Sequence, residues 1–165
     1  MTGDFWDLAR NGIFRISSLI YQGPAPNEET ISALSRLQVR DLLDVAGVSG
    51  TPPPGMTIHK RPFEDGKPIP DSVIPAILET TARLLSAQRP LFVHCSAGLN
   101  RSPTVVWLVA VACGLCPEEA AESIASKMLD GVPAHPRLLG QNTLQIARSE
   151  GVRLGMKPHL FDQPS

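Results

Sequence analysis

Hydrophobic residues follow two rhythms along this chain of 165 residues. Short apolar runs stand at 14–23 (FRISSLIYQG), 39–45 (VRDLLDV), 56–61 (MTIHKR) and 90–94 (PLFVH). Each predicts a strand, the first of them one or two short strands closing on Gly23. PLFVH lacks alternation, as expected of a strand covered on both faces. Between these runs the period lengthens. Ile31, Leu34 and Leu37 recur at helical spacing behind Asn27, a good cap, with Glu28 and Glu29 in the first turn. Residues 70–88 carry the clearest helical stripe, Val73, Ile74, Ile77, Leu78, Leu84 and Leu85. Asp71 or Ser72 would cap it, and Pro75 falls in the first turn, where proline is tolerated. Thr104 to Cys113 is apolar all round, which predicts a buried central helix stopped by Gly114. Pro117 with Glu118 and Glu119 opens another helix, its stripe Ala121, Ile124, Ala125 and Met128. Pro136 to about Glu150 reads as a last helix, weakened at Gly140.

Strands interleaved with helices predict the α/β class: a three-layer domain with a mostly parallel central sheet and helices on both faces. Residues 1–157 are expected to form one domain and residues 158–165 a loosely ordered tail. TPPPG at 51–55 is a loop, since consecutive prolines cannot donate to a ladder. Trp6 and Trp107 are expected in the core, and His59 and His135 in structural or exposed places.

Composition narrows the function. Fifteen basic and 16 acidic residues give a formal net charge of −1, with no Lys/Arg run, so no nucleic-acid footprint is expected. The N-terminus lacks an apolar core of signal-peptide length, and no run reaches the roughly 18 apolar residues of a membrane span. Three cysteines argue against a disulfide framework and for a reducing, cytoplasmic setting. Cys113 and Cys116 make a C-x-x-C, but no second Cys/His pair at suitable spacing accompanies it. It also ends a helix instead of starting one, so both are expected to be core or boundary thiols, and neither a metal nor a cofactor is expected.

The chemistry gathers in VHCSAGLNRS, 93–102, between the buried strand and the buried helix. A strand-to-helix loop offers backbone N–H groups, and the helix dipole adds positive potential, so this junction favours an anion. Small residues Ser96, Ala97 and Gly98 let the backbone approach a ligand, with Gly98 at positive φ. Ser102 before Pro103 reads as the helix opening. Cys95 at the base of such a cradle is favoured as thiolate. Arg101 supplies a planar fork for two oxygens of a phosphate-like dianion. His94 would orient the thiol and the loop. Together these suit phosphoryl transfer to sulfur without a metal.

HCSAGLNRS resembles the H-C-x-x-G-x-x-R-S/T signature of the cysteine-dependent protein tyrosine phosphatase superfamily, and the chain as a whole is similar to its small, atypical dual-specificity branch. The resemblance implies a phosphomonoesterase with Cys95 as nucleophile. Ser96, Ala97, Gly98, Leu99, Asn100 and Arg101 would bind the phosphate, and Ser102 would donate to the departing sulfur. It also implies an aspartate general acid on the preceding loop. RPFEDGKPIPD (61–71) occupies that place, and FEDG fits best, so Asp65 is the assignment and Glu64 the second choice. Asp71 is expected to cap a helix, and Asp41 and Asp44 to be solvated or capping. Gln141 falls where some relatives hold a polar residue near the attacking water, but is expected to be a solvent-exposed helix residue.

The uncharged positions of the loop disfavour a highly phosphorylated substrate. Phosphotyrosine and phosphoserine/threonine in proteins are the expected substrates. A phosphorylated lipid or glucan is the alternative, aided by Lys60, Arg61, Lys67 or Arg137. Two other classes are an idle phosphate-binding module and a rhodanese-like sulfurtransferase. The intact Cys95 and Arg101 disfavour the first, and the arginine-serine ending of the loop disfavours the second.

Overall fold

A computed structural model describes residues 3–162 of the chain. The elements follow in the order α1 (Gly3–Arg10), β1 (Phe14–Arg15), β2 (Ile20–Gly23), α2 (Glu28–Arg36), β3 (Asp41–Asp44), β4 (Thr57–Lys60), α3 (Val73–Ser86), β5 (Leu91–His94), α4 (Arg101–Ala112), α5 (Pro117–Ala125), a 3-10 turn (Pro136–Leu138), α6 (Thr143–Arg153) and α7 (Pro158–Phe161). The sheet order is β1-β2-β5-β3-β4. β2, β5, β3 and β4 run parallel, and only β1 is antiparallel, to β2. This is the three-layer α/β arrangement expected.

The central strands are buried on both faces, which explains why β5 reads as an unbroken apolar run. One core layer packs Ile74, Ile77 and Leu78 of α3 and Val105, Val109 and the rest of α4 onto the sheet. The other packs Leu8 of α1 and Ala33 and Leu34 of α2 against Leu42 and Phe92. Every residue of α4 from Ser102 to Ala112 is buried. At about 1.5–3 kcal/mol per fully buried large aliphatic side chain, this helix anchors the domain and fixes where its N-terminus points.

Several local expectations are met and several are not. Asn27 caps α2 through a reciprocal pair with Thr30, and Gly114 ends α4 at φ +96°. The final helix is not continuous from Pro136. Leu139 is extended, Gly140 N–H donates to Thr143 Oγ1 at 2.7 Å, and α6 starts only at Thr143. Residues from 158 do not begin as a loose tail. Pro158–Phe161 form a helical turn that buries Leu160 and Phe161 in the core, while residues 163–165 lie outside those described. Helix α1 carries no signal strong enough to predict it, and Trp6 on it is exposed, unlike Trp107, which is buried and donates to Pro117 O.

Asp41 and Asp44 are buried, contrary to their reading as solvated or capping residues. Asp41 is satisfied by His59 Nε2 at 3.0 Å and the Arg89 guanidinium at 2.8 Å, tying β3 to its neighbours. Asp44 accepts the backbone N–H groups of Ala46 and Gly47 on one oxygen and of Ser49 on the other, all at 2.8–2.9 Å. Burial alone would raise its pKa; the hydrogen bonds from Ser49, Ala46 and Gly47 outweigh it and hold the carboxylate below its ordinary value. Such a group stabilises the fold above its unfolded pKa, about 3.9, and the contribution is lost as the pH falls through the lower folded value. Asp44→Ala is expected to cost about 2–3 kcal/mol at pH 7. Urea unfolding would measure it, and the gap from the parent protein should close in acid.

Candidate active site

The parallel strands end at a common edge. Asp44 pairs in register with His94, and Gly23 with His94 on the other side, so the loop after β5 emerges between the ends of β2 and β3. There it is pinned: Cys95 N–H donates to Gly23 O at 3.4 Å and Ala25 N–H to Ser96 O at 3.2 Å. Gly98 has φ +74°, and a Cβ there would stand 2.5 Å from Pro24 N and 2.6 Å from Gly23 C. Only glycine permits both the left-handed turn and this close approach. Sequence and fold thus converge on one consequence: the loop closes back over the cysteine.

Cys95 is 3% exposed. Its Sγ accepts the Gly98 N–H at 3.2 Å and lies 3.3 Å from Ser102 Oγ. Among the described residues, the N–H groups of Ser96, Ala97, Leu99, Asn100 and Arg101 have no acceptor. These are the donors of a strand-to-helix loop and a helix start, left over for an anion. Arg101 sends one terminal nitrogen to Phe63 O at 3.1 Å and the other to Ser96 Oγ at 3.3 Å, while its Nε is buried without a partner. A buried, unspent guanidinium N–H is costly unless a ligand meets it. The Phe63 contact also ties this loop to the segment that carries Glu64 and Asp65.

Ser102 does not cap the helix. α4 opens one residue earlier, at Arg101, with Asn100 as an N-cap that makes no side-chain bond. The Ser102 hydroxyl instead faces Cys95 Sγ, Gln22 Oε1 at 2.6 Å and Gly23 O at 3.3 Å. His94 is buried, stacks on Phe92 at 5.3 Å, and places Nδ1 3.4 Å from Cys95 O. It therefore meets the backbone of the loop and not the thiol. Burial pushes its pKa below the usual histidine value, only partly opposed by Asp44.

Asp65 and Glu64 face differently. Asp65 sits in an exposed turn, its Oδ1 accepting Gly66 N–H at 2.9 Å, and lines a cleft of about 360 Å³ with Gly66, Asn100, His135 and Arg137. Asn100 belongs to the cysteine loop, so the cleft sets Asp65 beside one residue of that loop. Glu64 is 72% exposed and paired with Lys67 at 3.0 Å. Asp71 caps nothing; its carboxylate accepts from Asn142 Nδ2 at 3.2 Å. Gln141 is exposed, in the turn before α6 and not on a helix. Cys113 is buried, its thiol pushed up to about 12 by burial, while exposed Cys116 contacts Glu118; both are free. Gln22 was missed by the sequence reading. A polar residue inside an otherwise apolar strand pattern, QG at 22–23, was the available signal.

No protein-family model matches the chain. A probable protein tyrosine phosphatase type IVA A of Dictyostelium discoideum is 26% identical over 113 residues, covering 62% of this chain and 68% of that protein. Protein tyrosine phosphatase type IVA 2 of mouse is 34% identical over 79 residues, covering 44% of this chain and 45% of that protein. The chain therefore spans about half to two thirds of the length of these curated relatives. A mouse putative dual specificity phosphatase, solved with zinc tungstate, superposes with a TM-score of 0.70 over 90% of this chain and 93% of that one, at 17% identity. The chain presents a cysteine loop closed by an arginine at the carboxyl edge of a four-stranded parallel array. The chain is thus similar in sequence to protein tyrosine phosphatases of type IVA and shares the fold of a dual specificity phosphatase.

Proposed function

We propose that this protein hydrolyses phosphomonoesters through a cysteinyl-phosphate intermediate, acting on phosphotyrosine and phosphoserine/threonine of proteins. The observation that carries the reading is the set of unspent donors around one sulfur: five loop N–H groups and a buried Arg101 Nε with no partner. An oxyanion with three equatorial oxygens uses such donors; a neutral ligand does not. Cys95 Sγ attacks phosphorus, the P–O bond to the leaving group breaks, and Asp65 protonates the departing oxygen. Water then attacks the phosphocysteine, gives its proton to Asp65, and the bonding pair returns to sulfur. Arg101 and the loop amides hold the phosphoryl oxygens in both steps.

The three free thiols suit a reducing compartment. Among the described residues no helix is long and apolar enough to cross a membrane. One observation favours a second substrate class. The Arg137 guanidinium makes no hydrogen bond or ion pair among the described residues and lines the Asp65 cleft, where a second anionic group of a lipid or glucan phosphate would meet it.

The test is hydrolysis of phosphopeptides against inositol phosphates and phosphoglucans, with Asp65→Asn and Glu64→Gln in parallel. Phosphopeptide turnover is expected to lead, and Asp65→Asn to lower kcat about 100-fold. Glu64→Gln is expected to stay within about twofold, since its carboxylate is exposed and already paired. The opposite result would move the acid by one residue. No turnover on any of the three classes would sink the enzyme reading.

A further inference from the structure

Gln22 is a carboxamide at the end of a fully buried strand, 1% exposed. Burying an amide costs free energy unless both of its ends are satisfied. Here Oε1 lies 2.6 Å from Ser102 Oγ, and Nε2 reaches only a thioether, Met128 Sδ, at 3.4 Å. Thioether sulfur is a weak acceptor, so the donor end of the amide is held loosely while the acceptor end is held tightly.

Ser102 has one hydrogen to donate and three neighbours able to take it: Gln22 Oε1, Gly23 O at 3.3 Å and Cys95 Sγ at 3.3 Å. When the sulfur is neutral, as a thiol or as phosphocysteine, Gln22 at 2.6 Å is the best acceptor. When it is anionic, the thiolate competes as a charged acceptor. If the hydrogen then turns to sulfur, Ser102 Oγ would face Gln22 Oε1 oxygen to oxygen. Rotation of the amide by half a turn removes that repulsion. Nε2 then donates to Ser102 Oγ, and the hydroxyl, polarised by this donor, gives its hydrogen wholly to sulfur. The rotation gives up only the weak contact to Met128.

We propose that Gln22 is a positioning residue that sets the direction of the Ser102 hydroxyl, its carboxamide turning over as charge comes and goes on Cys95. The proposal rests on the phosphatase reading above. In the second step the new P–O bond forms as the S–P bond breaks, the bonding pair stays on Sγ, and the water's proton goes to Asp65. The Ser102 hydrogen swings from Gln22 to Sγ as that charge develops. Gln22 therefore acts on the breakdown of the intermediate more than on its formation.

The test uses Gln22→Met, which keeps the length and apolar packing of the side chain and removes both polar ends, with Gln22→Leu as a second replacement. Rapid quench with p-nitrophenyl phosphate separates formation of the phosphoenzyme from its decay. Decay is expected to slow about tenfold, the worth of one hydrogen bond to a charged group, with formation within about twofold. Alkylation of Cys95 by iodoacetamide, read by mass at that cysteine across pH, should shift its midpoint upward. Both effects should vanish in a Ser102→Ala background. A merely structural role would instead lower stability and persist without Ser102. If the parent protein forms phosphoenzyme and neither replacement changes its decay or the alkylation midpoint, the Gln22 proposal alone is overturned. If the parent protein forms no phosphoenzyme, the phosphatase reading fails, and the alkylation series still decides whether Gln22 and Ser102 act together on the sulfur.

Discussion

Cys95→Ser is expected to reduce phosphomonoester hydrolysis by at least about 10⁴-fold while leaving the fold and the phosphate pocket in place. A thiolate is a competent nucleophile at neutral pH; an alcohol is not, unless a base stands beside it. None does here. His94 is 1% exposed, but its ring meets the carbonyl of Cys95 and not the side chain. Ser102 and Gly98 N–H, the two neighbours of the sulfur, are hydrogen-bond partners and not bases. The same two partners accommodate a serine hydroxyl, which is why the buried substitution should fold. Steady-state turnover of an aryl phosphate, calorimetric binding of vanadate and circular dichroism would make the comparison. Normal turnover in the variant would remove Cys95 as nucleophile. Loss of vanadate binding together with turnover would mean that the pocket itself had collapsed.

Arg101→Lys is expected to lower kcat/KM about 10³-fold or more and to weaken phosphate-analogue binding, despite conserving charge. The guanidinium performs three tasks from one plane. It holds Phe63 O, it holds Ser96 Oγ, and it leaves a buried, unpartnered Nε that the proposed reaction would turn to a phosphoryl oxygen. An ammonium group at the end of a flexible stem can do one of these at a time. Losing the Phe63 contact also loosens the segment leading to Asp65, so kcat should fall as well as binding. Kinetics with the lysine variant would read both effects. A drop confined to KM would show that Arg101 binds the ground state and does not favour the transition state.

The signature was legible because its chemistry is local. Cys95, Gly98, Arg101 and Ser102 lie within eight consecutive residues, and a strand-to-helix loop brings neighbours in sequence into one ring. Elements with strong periodicity were equally readable: α3, α4 and the buried strand β5 are where the apolar spacing places them. Elements whose identity depends on distant contacts were not. Helix α1 and the turn Pro158–Phe161 are helical because partners elsewhere cover Leu8, Leu160 and Phe161. Their own sequences are too short to hold a helix unaided.

Polar residues divide along the same line. Asp41 and Asp44 read as surface carboxylates because composition favours that, yet both are buried and satisfied by groups supplied through strand pairing and loop closure. Ser102 beside Pro103 has every local mark of a cap, but α4 begins a residue sooner and the hydroxyl turns to the sulfur.

By itself, then, the amino-acid order determined the alternation of strand and helix and singled out the candidate nucleophile and the candidate anion loop, since each depends on residues a few positions apart. Only the folded chain decided which carboxylate of the upstream loop shares a cleft with Asn100, and that an amide eighty positions earlier, Gln22, sits against Ser102. Those pairings depend on sheet order and on how loops from separate strands converge at one edge, and no periodicity along a single segment encodes that meeting.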